Sequence, residues 1–497
     1  MYKKKILIAT GLLAFLFLIN SCSCSAAGAA TITVQADKPG AKINPMMWGI
    51  FFEDINFGAD GGLYAEMVKN RSFEFPNAMM GWSKKGVGGK LSIRDVNPFD
   101  SANPHYLRIE AQNPGDGFGV TNEGFRGMGL RKGQKYWFSV YARSILGSTA
   151  FKVEVIASNG RKITEARFGG VPENWQKYVC TMEAMDTDAK AKLNLLVTSP
   201  GVLDVDMVSI FAEDSTAASS PLMPMTVPGL RKDLVQMLAD LKPGFMRFPG
   251  GCIVEGRDID NRYQWKNTIG DINKRKLIIS RWNNEFDHRY TEDYFQSFGL
   301  GFYEFFLLSE KIGAEPMPII NCGMACQFNT AQLVPMDQLQ PYIQDALDLI
   351  EFATGSATSP WGSKRVEMGH PETFNLKMIG VGNEQWGPQY VERYRVFAKA
   401  IKEKYPDIQL IVATGSDPEI FPNGPEEVKY LWSQWRKIKP DVVDEHFYRG
   451  PDWFLDSADY YDNYERNGTG IFVGEYAAQS VGVASPDNRN NWLCALA

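Results

Sequence analysis

Residues 376–387, Leu376-Lys377-Met378-Ile379-Gly380-Val381-Gly382-Asn383-Glu384-Gln385-Trp386-Gly387, read as a short buried β-strand that ends in a turn carrying a carboxylate. Helical patterns flank it, 339–353 before and 393–405 after. Working outward, the same unit recurs. Towards the N-terminus, an amphipathic stretch at 231–241 leads to the strand around Met246, and a predicted helix at 294–312 leads to the strand 315–321. Towards the C-terminus come a strand at 408–414, a helix at 428–435, a strand at 442–447 and a last strand at 470–474, ending at Glu475. Apolar strands alternating with helices signal a parallel sheet, and a chain of this length closes it most simply as a (β/α)8 TIM barrel. Trp48-Gly49-Ile50-Phe51-Phe52-Glu53 reads as the first strand, which makes seven. Residues 491–496 then begin what looks like the next helix, so the barrel reads as C-terminally truncated before its eighth strand.

Between the first and second strands the texture changes. Tyr136, Phe138 and Val140 alternate with Trp137, Ser139 and Tyr141, and Gly and Asn turns are frequent, the period-two pattern of an all-β sandwich. The predicted fold class is therefore α/β, a barrel with an inserted sandwich. Its divisions are a leader at 1–22, the start of the barrel at 31–80, the sandwich at 81–213 and the remainder of the barrel at 222–497, after the linker Asp214-Ser215-Thr216-Ala217-Ala218-Ser219-Ser220-Pro221.

The leader has three lysines, an apolar run at 6–19 too short to span a bilayer comfortably, and Asn20-Ser21-Cys22. Ile19-Asn20-Ser21-Cys22 resembles a bacterial lipobox, which would leave Cys22 lipidated and the protein anchored to the envelope through its N-terminus. Ordinary cleavage after the alanines at 26–30 is the other reading, and both imply export. A net charge of −6 without a basic stripe excludes a nucleic-acid partner. Twelve Trp and twenty Tyr suit carbohydrate, against whose C–H faces flat rings stack. Seven Cys form no dense framework, and Cys322-Gly323-Met324-Ala325-Cys326 lacks a second Cys pair or a His cluster, so these read as buried thiols. No cofactor or metal is expected, because the chain has no H-E-x-x-H, P-loop or G-x-G-x-x-G pattern.

The chemistry lies in the two strand-end carboxylates, Glu384 and Glu475. A glycosidic bond resists neutral water until one carboxylic acid protonates the leaving oxygen while a second carboxylate attacks the anomeric carbon. Strand ends on one barrel face, three strand–helix units apart, can supply that pair.

Five segments in order carry a resemblance: Gly49-Ile50-Phe51-Phe52-Glu53-Asp54, Arg247-Phe248-Pro249-Gly250-Gly251, Gly382-Asn383-Glu384, His446-Phe447-Tyr448 and Gly474-Glu475-Tyr476. Together they resemble the retaining α-L-arabinofuranosidases of glycoside hydrolase family 51, and the insert is similar to the carbohydrate-binding module of longer members. The resemblance implies that Glu384 is the general acid/base, kept protonated by its surroundings, and Glu475 the ionised nucleophile. It implies that Asn383 binds the hydroxyl beside the anomeric carbon, that Glu53 accepts from furanose hydroxyls, and that Arg247 and Tyr448 fix the nucleophile. His446 reads as site support or as a satisfied core histidine, and Glu53 as sugar ligand or loop carboxylate. Cys252 departs from the Asn of many relatives; either a sugar contact is lost there or the thiol serves packing. Trp386 and Tyr476 read as cleft walls or rim packing. The implied substrates are arabinose-containing plant polysaccharides or oligosaccharides, and a homo-oligomer is compatible with the sequence. A β-xylosidase or endo-glucanase with the same two carboxylates, and an inactive carbohydrate-binding surface lipoprotein, are the rival readings.

Overall fold

The computed structural model describes residues 33–40, 42–55, 57–146, 149–215, 229–283, 295–419 and 423–478. The leader with Cys22, and residues 491–496, lie outside them. Among the described residues, seven strands form one parallel sheet in chain order: Ile50–Phe51, Phe245–Phe248, Glu315–Ile320, Met378–Val381, Gln409–Ala413, Val442–Arg449 and Gly470–Ala478. They make a nearly closed barrel, and we number them one to seven.

Alternation along each strand sorts side chains between the barrel interior and the helix layer. On strand two, Phe245 joins Met317 and Ile411 in a small apolar cluster with Met378, Val442 and Phe472 against it. Met246 and Phe248 face the other way into the main core, where Phe248 stacks on Phe305 of the helix Phe302–Ile312 at 4.9 Å. Arg247 therefore shares the inward side with Phe245. On strand six the inward set beginning at Val442 continues through Asp444, His446 and Tyr448, while Val443 packs outward.

Strand seven breaks this rule once. Asp444 pairs with Phe472, but His446 pairs with Glu475, so strand seven carries one extra residue between the two pairs. This bulge matters to the site. Strict alternation from Phe472 would turn Glu475 outward, and the extra residue turns it in beside His446. The Gly474 N–H donates to Asp444 Oδ1 (2.7 Å), which anchors the bulge.

The strands between Trp82 and Ala212 form antiparallel sheets around a second core that includes Leu107, Phe118, Phe138, Val153 and Leu195. Since Ile50 pairs with Met246, the chain leaves the barrel after its first strand and re-enters at the second. Arg71 Nη2 donates to the Ile272 carbonyl (3.1 Å) and Asn103 Nδ2 to the Arg275 carbonyl (3.0 Å), tying the sandwich side to the barrel.

Several helix expectations need correction. The single helix read at 294–312 is a strand, Phe295–Gln296, paired with Ile278–Ile279, and then the helix Phe302–Ile312. A side chain at Gly299 would collide with the Tyr64 ring, and the helix starts only after Gly301, whose N–H is taken by Glu304 Oε2 (3.0 Å). The helix read from 393 begins at Pro388, a residue suited to the first helical position. The helix read at 428–435 runs over Gly424–Ile438. The helix Pro360–Glu367 and the single helical turn Cys252–Glu255 were not foreseen.

Candidate active site

Arg247 is the hub of the polar cluster inside the barrel. It is 1% exposed, and its guanidinium donates from Nη1 to Glu475 Oε1 (2.9 Å) and from Nη2 to Asn383 Oδ1 (2.7 Å), with Asp444 Oδ2 at 3.6 Å. Strands two, four, six and seven are thus joined through one side chain. Removing one partner of such a buried ion pair leaves carboxylates uncompensated, at a cost of ~3–5 kcal/mol. Arg247→Met is expected to lose stability on that scale, measured by urea unfolding, whereas a surface Arg substitution costs little.

The chain can pass this close only because of two glycines. Gly250 has φ +137°, and a Cβ there would meet Glu53; a Cβ on Gly251 would collide with Glu475 Oε1 and sit 3.4 Å from Asn383 Nδ2. Asn383 is oriented through its oxygen, so its buried Nδ2 faces the Gly251–Glu475 region with no hydrogen bond of its own among the described residues. A donor held in this way suits a substrate hydroxyl. The Tyr448 hydroxyl donates to Glu475 Oε2 (2.7 Å), so both oxygens of Glu475 are held.

His446 lies between carboxylates, with Nδ1 2.9 Å from Glu384 Oε1 and Nε2 3.2 Å from Asp444 Oδ2. With an acceptor at each nitrogen the ring is satisfied as imidazolium. Burial opposes that charge, but Glu475 and Asp444, with the hydrogen bonds to Asp444 and Glu384, raise its pKa well above the usual value. For Glu384, burial pushes the pKa up, and His446, Ser416 and Cys252 together pull it below the usual carboxylate range. The direction is opposite to the one expected of a general acid that stands protonated. Glu53, half-buried, is raised to about 8, first by burial and then by the charge of Glu475; the Ile253 N–H bonded to it (3.1 Å) works the other way.

The sign of the pH dependence follows. His446 is raised on folding, so its contribution is complete below its unfolded pKa of ~6.5 and is lost as pH climbs through the folded value. His446→Gln is expected to cost more stability at pH 6 than at pH 10, measured in paired urea titrations.

Glu53, Arg247, Cys252, Asn383, Glu384, His446, Tyr448 and Glu475 thus come together in one cluster. The Cys252 thiol donates to Glu384 Oε2 (3.4 Å). Trp386 stands on the rim, edge-on to Phe328 at 5.2 Å, with Gln327 bonded to its backbone. Tyr476 is 45% exposed, since alternation turns it away from Glu475, so it forms no cleft wall. Sequence reasoning missed Asp444, Ser416 and Cys326. Asp444 was within reach, because it shares the inward face of strand six with His446 and Tyr448. Cys326 was not, since only the fold brings its sulfur to within 4.8 Å of that of Cys252.

One ligating atom of each of Glu384, His446 and Glu475 lies within 4.8 Å of the others. A parallel barrel that brings a buried carboxylate just past strand four and another within strand seven this close has the architecture of a glycoside hydrolase of the retaining kind, since inverting enzymes keep their carboxyls ~6.5–9.5 Å apart. A family model described as "Alpha-L-arabinofuranosidase 1 domain" matches residues 237–466. The chain is 37% identical over 474 residues to the "Extracellular exo-alpha-L-arabinofuranosidase" of Streptomyces chartreusis, covering 90% of this chain and 53% of that one. It is 35% identical over 499 residues to "Alpha-L-arabinofuranosidase 2" of Arabidopsis thaliana, covering 96% and 67%. Among solved structures, an arabinose-bound family 51 α-L-arabinofuranosidase superposes with a TM-score of 0.75 at 29% identity, covering 89% of this chain and 68% of the other. The chain belongs to the α-L-arabinofuranosidases of glycoside hydrolase family 51. It spans about half to two-thirds of the length of these relatives.

Proposed function

We propose that the protein is an exo-acting, retaining α-L-arabinofuranosidase that removes non-reducing terminal α-L-arabinofuranosyl residues from plant polysaccharides by double displacement. The observation that supports this most is the approach of Glu384 and Glu475 to within 4.8 Å, with Glu475 gripped by Arg247 and Tyr448. In the first step a Glu475 oxygen attacks the anomeric carbon while the glycosidic oxygen takes a proton from Glu384. His446 is the store of that proton: it passes along the 2.9 Å bond to the carboxylate that delivers it. Once Glu475 is esterified its charge is gone, and with it the largest charge favouring the imidazolium. In the second step Glu384 takes a proton from water, which attacks the ester, and the sugar leaves with its starting configuration. Asn383 Nδ2 and Glu53 are the sugar-hydroxyl ligands, and contacts of this kind gain strength as charge develops on the ring.

A second assignment has Glu53 deliver the proton. It is favoured by the pKa of Glu53, about 8, against the lowered Glu384. Export is supported by the leader and by the extracellular Streptomyces relative. Lipidation at Cys22 and sugar binding by the sandwich complete the reading. The test of function is hydrolysis of aryl α-L-arabinofuranoside beside the β-xylopyranoside and β-glucopyranoside. Turnover confined to the first is expected; preference for either pyranoside would reassign the sugar.

A further inference from the structure

We propose that Cys252, Glu255 and Cys326 form an inhibitory site for a soft divalent cation, zinc or cadmium, placed against Glu384. The three residues come from two loops. Cys252 and Glu255 bound the single helical turn Cys252–Glu255 after strand two, and Cys326 lies beyond strand three, where its N–H donates to the Gly256 carbonyl (3.1 Å). One ligating atom of each residue lies within 4.8 Å of the other two, and the residues are 6%, 2% and 1% exposed.

The donor set selects the ion. Two sulfurs and one carboxylate oxygen suit a zinc-like cation, which binds them tetrahedrally and leaves a fourth position for water, whereas magnesium demands an octahedron of oxygens. Glu255 is already aimed: Gln385 Nε2 holds its Oε1, while the buried Oε2 makes no hydrogen bond of normal geometry among the described residues. Charge also balances. Arg281 Nη2 lies 3.4 Å from Cys326 Sγ, and its positive charge together with a dication cancels the three anionic ligands. Binding releases to solvent the protons that the two thiols and the Glu255 carboxyl carry.

Inhibition follows from Cys252 belonging to both clusters. Its thiol proton bridges to Glu384 Oε2, so coordination removes that hydrogen bond and sets a dication against the same carboxylate. A carboxylate beside a dication is a poorer base for carrying a proton between His446 and the sugar. The inhibition rests on the role proposed for Glu384; the binding does not.

The two are read separately. The reduced full chain is titrated with cadmium while the sulfur-to-cadmium charge-transfer absorption is followed, and arabinofuranoside hydrolysis is measured with zinc, cadmium and magnesium. One cadmium per chain is expected, with hydrolysis lost in parallel for zinc and cadmium and kept in magnesium. Cys326→Ser is expected to need at least the ~10–100-fold more zinc for half inhibition, relative to its own metal-free rate, that loss of an outer-shell partner costs. Glu475→Gln is expected to keep the absorption band, so binding stays measurable in a chain without turnover. No band, or a band unchanged in Cys326→Ser, would overturn the site; a band without inhibition would overturn its inhibitory role. A band in a parent chain with no arabinofuranosidase activity would refute the proposed function instead.

Discussion

Glu475→Gln is expected to lower kcat/KM for an aryl α-L-arabinofuranoside by more than about 10⁴-fold, or ~5.5 kcal/mol of transition-state stabilisation. The amide has the shape of the carboxylate but neither its charge nor its nucleophilicity. It keeps one oxygen for Arg247 or Tyr448, so the fold should survive while the first bond cannot form. KM should change little, because the lost interaction belongs to the transition state. Steady-state kinetics beside a urea melt checks both halves. A variant that unfolds at the parental midpoint and retains turnover within tenfold (~1.4 kcal/mol) would remove Glu475 from the mechanism.

Glu384→Gln is expected to show a loss that depends on the leaving group. General acid catalysis is worth ~10²–10⁴-fold, and all of it is needed when the departing group is a basic sugar alkoxide. A dinitrophenolate leaves without a proton. The first step on that substrate should therefore stay fast and the second become slow, because no base remains to activate water. A burst of dinitrophenol followed by slow turnover is the expected stopped-flow result. Glu53→Gln separates the two assignments of the proton donor: it should weaken all substrates alike if Glu53 only binds sugar, and reproduce the leaving-group dependence if Glu53 delivers the proton.

The strands were legible because each is a short apolar run ending in Gly or a polar residue, and all seven centres read from the sequence fall within strands of the barrel. The boundaries of the layer around them were less so. Tertiary contacts decide them: Tyr64 pressing on Gly299 ends what reads locally as helix. The candidate site divides in the same way. Glu384 and Glu475 announce themselves as carboxylates at strand ends, and Arg247, His446 and Tyr448 as polar residues in apolar strands. What positions them was hidden. The strand-seven bulge that turns Glu475 inward leaves no mark that alternation can detect. The direction of the Glu384 pKa shift was hidden as well. A general acid in a buried site suggests a raised pKa, yet the position of His446, set by strands that meet only in the folded barrel, reverses the sign for Glu384.

The most direct test of double displacement through Glu475 is to mix Glu384→Gln with dinitrophenyl α-L-arabinofuranoside, quench during the slow phase, digest, and weigh the peptides. A peptide containing Glu475 is expected to carry one pentosyl unit, lost on prolonged incubation as free arabinose appears. A pentosyl unit on any other residue, or turnover with no labelled peptide at any time, would contradict it.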